Sequence, residues 1–202
     1  AHCPNTGSMM GLLDKKNKAW ISKSNNLKRK LKYTLQVIEV NKKKVGVNTH
    51  LTNKIVLEAL QNNFLKQFSK NAIIKTEQSF GTSTRFDFLI IENEKKSFIE
   101  VKNVTLSRKE KLAEFPDAIT TRGAKHIKDL IKAKKQGFNS YLLFVVQRED
   151  CNRFAIAKDI DPEYSKLLTL AYNNKVKILC YDCKFSSKDI KLNHQIKLLN
   201  ND

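Results

Sequence analysis

The stretch from Ser140 to Tyr181 limits the possible folds of this chain more than any other. Tyr141-Leu142-Leu143-Phe144-Val145-Val146 is a continuous apolar run, the mark of a strand buried on both faces. Asp161-Pro162-Glu163 then opens a helix, with Asp as the cap and Pro at the first helical position. That helix carries Leu167, Leu168 and Ala171 as far as Asn173-Asn174, and Val176 to Tyr181 follows as a strand. Strand, helix and strand within about 40 residues make a βαβ crossover, so the larger part of the chain reads as α/β.

Upstream the pattern divides near Asn48-Thr49. Before it, Leu31, Tyr33, Leu35 and Val37 alternate with Lys32, Thr34 and Gln36, which predicts a strand with one face inward. Trp20-Ile21 and Lys44-Val45-Gly46-Val47 read as further short strands, with turns near Asn25-Asn26 and Asn41-Lys42. This suits a small β barrel of the kind that binds oligonucleotides. For Trp20 and Tyr33 two readings stay open, base stacking or filling the barrel core. After it, Leu51, Val56, Leu60 and Phe64 fit a helix capped by Asn48 or Thr49. Strands are expected at Ile73-Ile74, Phe86 to Ile91 and Ser97 to Val104, and a long helix from about Ile119 to Lys135 with Gly137 as its stop. The predicted division is a basic β domain over 1–48 and an α/β domain over 49–202.

Charge narrows the class of partner. The chain has 38 Lys and Arg against 20 Asp and Glu, a net +18 over 202 residues. Residues 1–54 alone hold twelve basic and two acidic side chains, densest in Lys28-Arg29-Lys30-Leu31-Lys32 and Lys42-Lys43-Lys44. Clustered positive charge releases counterions from a phosphate backbone, so nucleic acid is the expected partner, contacted by Lys28, Arg29, Lys30 and Lys32. No long amphipathic helix accompanies the basic run, and the longest apolar runs fall far short of a membrane span, so no membrane role is expected. Ala1-His2-Cys3-Pro4-Asn5 lacks the charged and apolar regions of a signal peptide and does not open on Met. A cytoplasmic protein, truncated or processed at its start, is the expectation. Four cysteines are too few and too uneven for a disulfide framework, and Cys180-Tyr181-Asp182-Cys183 is a lone C-x-x-C best read as reduced thiols.

Chemistry concentrates on one predicted hairpin. If Arg85 to Ile91 and Phe98 to Lys102 turn through Asn93-Glu94, residue 91 pairs with 96, 89 with 98 and 87 with 100. Asp87 then stands across from Glu100, their Cβ atoms about 5 Å apart. Two carboxylates so close repel unless a cation lies between them, and Mg2+ or Mn2+ suits such oxygen donors. Lys102, on the same face as Glu100, is placed to orient an attacking water beside a phosphate. Glu58, on the preceding helix, is a further candidate carboxylate. Arg122, Lys125 and His126, at i, i+3 and i+4 of the long helix, are expected opposite Ile127, Leu130 and Ile131, forming a polar edge able to face the carboxylates or to hold a phosphate. Asp117, after Pro116, reads as a helix cap.

An Asp followed by Glu-x-Lys on the next strand, with Glu on a preceding helix, resembles the PD-(D/E)xK nuclease constellation. A wider resemblance covers nearly the whole chain in order. Ala1-His2-Cys3-Pro4-Asn5-Thr6-Gly7-Ser8-Met9, Lys28 to Thr34, Val47-Asn48-Thr49, Arg85 to Leu89 and Glu100 to Leu106 are similar to blocks of the sugar fermentation stimulation (SfsA) family. So are Phe115 to Ala118, Thr121-Arg122-Gly123 with Lys125-His126, Leu143 to Arg148 and Asp161 to Tyr164. The resemblance implies an OB-like N-terminal domain, incomplete at its start, a PD-(D/E)xK nuclease-like C-terminal domain, and DNA binding. It places Asp87, Glu100 and Lys102 in the nuclease-like core and Glu58 as its helix acid. Two functions stay open: a Mg2+- or Mn2+-dependent nuclease, or a non-catalytic DNA-binding regulator of sugar metabolism genes. No small-molecule ligand is evident.

Overall fold

The computed structural model describes residues 1–199. A central six-stranded sheet carries the larger part, in the order β12-β11-β9-β6-β5-β4. Its strands are β4 (Ile73–Phe80), β5 (Thr84–Glu92), β6 (Lys95–Val104), β9 (Asn139–Val146), β11 (Lys177–Phe185) and β12 (Ile190–Gln195). β9 lies parallel to both β6 and β11, with helices α2 (Thr121–Lys135) and α3 (Pro162–Asn173) as the two crossovers, and the outer pairs are antiparallel. The apolar run on β9 splits by parity. Leu142, Phe144 and Val146 face α2 and α3, while Tyr141, Leu143 and Val145 face α1 (Thr52–Gln61). A helix layer on each side is what buries this strand completely.

Local chemistry sets most of the boundaries. Asp161 caps α3, accepting the Tyr164 N–H at 2.9 Å ahead of Pro162. Asn48 caps a 3-10 turn, Thr49–Leu51, that leads into α1. The β5–β6 hairpin turns on Asn93 and Glu94 at φ +43° and +71°, with Ile91 opposite Lys96 and Leu89 opposite Phe98, the expected register. α2 is capped by Thr120 rather than Asp117. Asp117 instead holds the N-terminal segment: Ser8 Oγ donates to its carbonyl at 2.8 Å, and its carboxylate accepts the Met9 N–H at 3.3 Å.

A second sheet went unread in the sequence. It joins β7 (Leu106–Lys109), β8 (Leu112–Phe115), β10 (Arg153–Ile156) and β13 (Lys197–Leu198). Arg108 pins it, its guanidinium bonded to Glu114 at 2.7 Å and to Asp159 at 2.9 Å.

The N-terminal part is a three-stranded antiparallel sheet of β1 (Lys18–Lys23), β2 (Tyr33–Val40) and β3 (Lys43–Gly46), with His2 bridged to Thr34. Two expectations are corrected here. Leu31 and Lys32 precede β2 rather than opening it, and Leu31 and Tyr33 are not on an inward face, being 47% and 44% exposed. Trp20 does not fill a core either; it is 45% exposed, with the Lys44 ammonium 5.3 Å from its ring centre. The small core here is Ile38, Val45 and Val47 under Met9 and Leu12. The sheet is fastened to the larger part through Gly46, whose N–H bonds the Gln147 carbonyl at 2.9 Å, and through Lys44, whose N–H bonds Glu149 at 2.8 Å.

All four cysteines are free; Cys180 packs with the α2 and α3 side of the sheet and Cys183 with the α1 side, so the C-x-x-C pair does not converge. Among the described residues, no helix is long and apolar enough to cross a membrane.

Candidate functional site

The last ladder pair of the β5–β6 hairpin is Phe88 with Ile99; beyond it β5 stays with β4 and β6 with β9. Asp87 occupies the gap where the strands part. On its other side the β4 ladder steps from Thr76 with Phe88 to Gln78 with Phe86, skipping Glu77, whose φ is +52°. Asp87 thus belongs to neither ladder, and the irregularity frees its side chain to turn into the site. Its carboxylate accepts the Val101 N–H and the Asn53 amide, each at 2.7 Å.

Glu100, one residue past the last pair, is buried on the side covered by α2. Lys102 follows two residues on, and its ammonium lies 2.8 Å from Glu100 Oε1 and 3.3 Å from His126 Nδ1. His126 Nδ1 also bonds Glu100 Oε1, so two donors meet on one oxygen. Glu100 Oε2 is buried and has no hydrogen-bond partner.

The two carboxylates sit in opposed electrostatic settings. Burial, reinforced by the negative charge of Glu100, pushes the Asp87 carboxyl up to about 6 against the Val101 and Asn53 hydrogen bonds. Burial works on Glu100 in the same direction, but the His126 hydrogen bond and the Lys102 charge outweigh it and hold Glu100 below its ordinary value. Glu100 is therefore the firm anion and Asp87 the carboxyl that a proton or a cation contends for.

Asp87, Glu100 and Lys102 are brought together; Glu58 is not. Its carboxylate pairs with Lys191 of β12 at 3.1 Å, half exposed. Five residues rotate a helix through roughly 500°, so Asn53 and Glu58 point about 140° apart, and docking presents Asn53 to Asp87. Asn53 was missed in the sequence; its one signal was a polar side chain a turn before the apolar Val56 and Leu57. His126 was expected opposite Ile127, Leu130 and Ile131, but it is 5% exposed and lies with them, because it stands one turn before Leu130. Lys125 is tied to the β4–β5 turn, donating to the Ser83 carbonyl at 2.8 Å, to Thr84 Oγ1 and to Asp129 at 3.3 Å. Arg122 stands exposed in the first turn of α2. Lys28, Lys30 and Lys32 are exposed in the β1–β2 loop, and Arg29 bonds Thr34 Oγ1 at 2.8 Å.

Comparison with known proteins adds a second line of evidence. A family model described as the SfsA N-terminal OB domain matches residues 1–47, and one described as the sugar fermentation stimulation protein RE domain matches residues 50–189. A sugar fermentation stimulation protein homolog of Pelagibacter ubique (strain HTCC1062) is 56% identical over 99% of this chain and 86% of its own length. A homolog from Bartonella quintana (strain Toulouse) is 42% identical over 98% of this chain and 85% of its own. Among solved structures, Pyrococcus furiosus SfsA, described as in complex with Ca2+, superposes with a TM-score of 0.89 at 25% identity, covering 98% of this chain and 84% of that one.

Proposed function

The chain belongs to the sugar fermentation stimulation family, and on that premise we propose that it binds DNA and hydrolyses its phosphodiester bonds at a PD-(D/E)xK-type site, with a divalent cation held by Asp87 and Glu100. The observation that carries this reading is the convergence of Asp87, Glu100 and Lys102 where β5 and β6 part, with Glu100 Oε2 buried and unpartnered.

The residues fit a hard cation. Both candidate ligands are carboxylates, the donor type that Mg2+, Mn2+ and Ca2+ prefer, and an orphaned acceptor in a buried site invites a positive charge. Among the described residues no group of three or more His, Cys, Asp and Glu side chains could hold a metal ion. That suits a cation that keeps part of its water and takes a substrate phosphate, as Mg2+ does with one or two protein carboxylates. The Ca2+ in the Pyrococcus furiosus protein is in keeping with this donor set. Such a cation, when bound, polarises a phosphoryl oxygen and lowers the pKa of its water.

The chain's own residues have separate tasks in this reading. Asn53 and the Val101 N–H fix the Asp87 carboxylate. Lys102 orients the attacking water and offsets charge gathering on the phosphate. The exposed Lys28, Lys30 and Lys32 hold the DNA backbone, a contact that positions without reading sequence, and the exposed rings of Trp20 and Tyr33 lie on the same small domain.

A second reading, a regulator that binds DNA without cutting it, draws on the Lys102 ammonium being already paired with Glu100. Calorimetric titration with Mn2+ of the unaltered protein and of Asp87→Ala tests the cation site; negligible heat from both would overturn it. Incubation with supercoiled plasmid and Mg2+ tests turnover. Nicking above the Lys102→Ala control supports the nuclease, and retarded but intact plasmid supports the regulator.

A further inference from the structure

We infer that His126 is the positioning residue of the carboxylate site, fixing the Glu100 carboxylate so that Oε1 meets the nearby donors and Oε2 stays open to a cation. The inference rests on the cation reading given above.

Hydrogen-bond inventory assigns the protons. A carboxylate only accepts and an ammonium only donates. Nδ1 of His126 faces Glu100 Oε1, so it carries a hydrogen, and Lys102 donates to the same oxygen at 2.8 Å. The Nδ1–H bond fixes the orientation of the Glu100 carboxylate, with Oε1 toward both donors, while Lys102 is held by its own bond to Oε1. Without that bond from His126 the Glu100 carboxylate is free to rotate and present Oε2 to the Lys102 ammonium, which would fill the position a cation needs.

The fold holds the ring firmly. Gly123, one turn before His126, lies where a Cβ would come 2.8 Å from the Thr120 side chain and 3.0 Å from the Tyr164 ring. A larger residue there would push α2 off α3. Ile127 and Leu130, fully buried beside His126, anchor the same face of the helix. A buried histidine bonded to a ligand's carboxylate is the arrangement by which outer groups orient metal ligands, and losing such a group typically weakens metal affinity about 10–100-fold.

The test titrates Mn2+ by calorimetry into the full chain and into His126→Ala, His126→Asn and His126→Gln, below each protein's measured melting temperature. The Asn amide nitrogen stands at the same bond distance from Cβ as Nδ1; that of Gln stands one bond further. The expected result is about a tenfold or greater loss of Mn2+ affinity in His126→Ala and His126→Gln, recovery in His126→Asn, and unchanged metal-free DNA binding in all three. The imidazole nitrogen NMR spectrum of the unaltered, metal-free protein should show Nδ1 protonated. Equal Mn2+ affinity in the unaltered protein and His126→Ala, or a ring protonated at Nε2 alone, would overturn this inference and leave the cation reading standing. No Mn2+ binding by the unaltered protein would overturn that reading and this inference with it.

Discussion

The carboxylate of Asp87 accepts the backbone N–H of Val101 at 2.7 Å, so that a side chain makes the hydrogen bond the β5–β6 ladder no longer provides. Val101 is thereby satisfied, and Asp87 is locked between the two strands in a half-buried position that disfavours its charge.

This lock has a pH signature. The Asp87 carboxyl is raised from 3.8 to about 6, so the folded protein binds that proton more tightly than the unfolded chain. The contribution to stability is fully present below about pH 4 and is lost as pH rises through 6, a change of about 3 kcal/mol. Asp87→Asn cannot ionise and should escape the loss. With a chelator present, the stability difference between the variant and the unaltered protein should move by about that amount in favour of Asn between pH 4 and pH 7. Denaturation curves at several pH values would measure it, and parallel curves would refute it.

Glu100 and Lys102 form a mostly buried pair, their side chains 4% and 13% exposed. Lys102→Met leaves Glu100 short of one of its two donors and should cost about 3 kcal/mol of stability. Adding Glu100→Gln should recover most of it. A double-mutant cycle by urea denaturation should give a coupling energy above about 1 kcal/mol, and additive effects would deny the interaction.

Gly7 lies against Asp117, so a Cβ on residue 7 would meet the Asp117 carboxylate at 2.4 Å. Gly7→Ala should push that carboxylate away from Ser8 and Met9 and destabilise the protein by about 1–2 kcal/mol. In an Asp117→Ala background the same change should have almost no effect. Hydrogen exchange at Met9 would report the release of the N-terminal segment.

Lys28, Lys30 and Lys32 are exposed, whereas Arg29 is tied to Thr34. Replacing the three lysines by Ala should leave the melting temperature unchanged and reduce the slope of log K for DNA against log salt by up to about three contacts, each worth about 0.9. Asp87→Ala with Glu100→Ala should leave metal-free DNA affinity unchanged or higher. An unchanged slope in the lysine variant, with affinity lost in the carboxylate variant, would contradict this division.

What could be read from residues alone was whatever neighbouring residues decide. The Asn93-Glu94 turn needs two residues tolerant of positive φ, and once the turn is placed the register of β5 against β6 follows. The Asp161 cap and Pro162 mark the start of α3, and the unbroken apolar run of β9 announces a strand covered on both faces. Through these, Asp87 could be set near Glu100 and Lys102 before any fold was known.

The tertiary structure decided the rest, because its causes lie far apart in the chain. Four-residue strands such as β8 and β10 are too short to show a period and exist because they pair with each other. Whether α1 offers Asn53 or Glu58 to the site depends on its rotation against the sheet, which is set by Ile55, Val56, Ala59 and Leu60 finding the α1 side of the core. His126 read as part of a polar edge opposite the apolar face, until packing against α3 and the sheet buried it with Ile127 and Leu130 while Arg122 stayed exposed. The sequence determined which residues could do chemistry and roughly where the hairpin puts them. Packing of distant elements determined which of them share one buried charge, since burial and opposing charge are properties of the folded interior and not of any local stretch of chain.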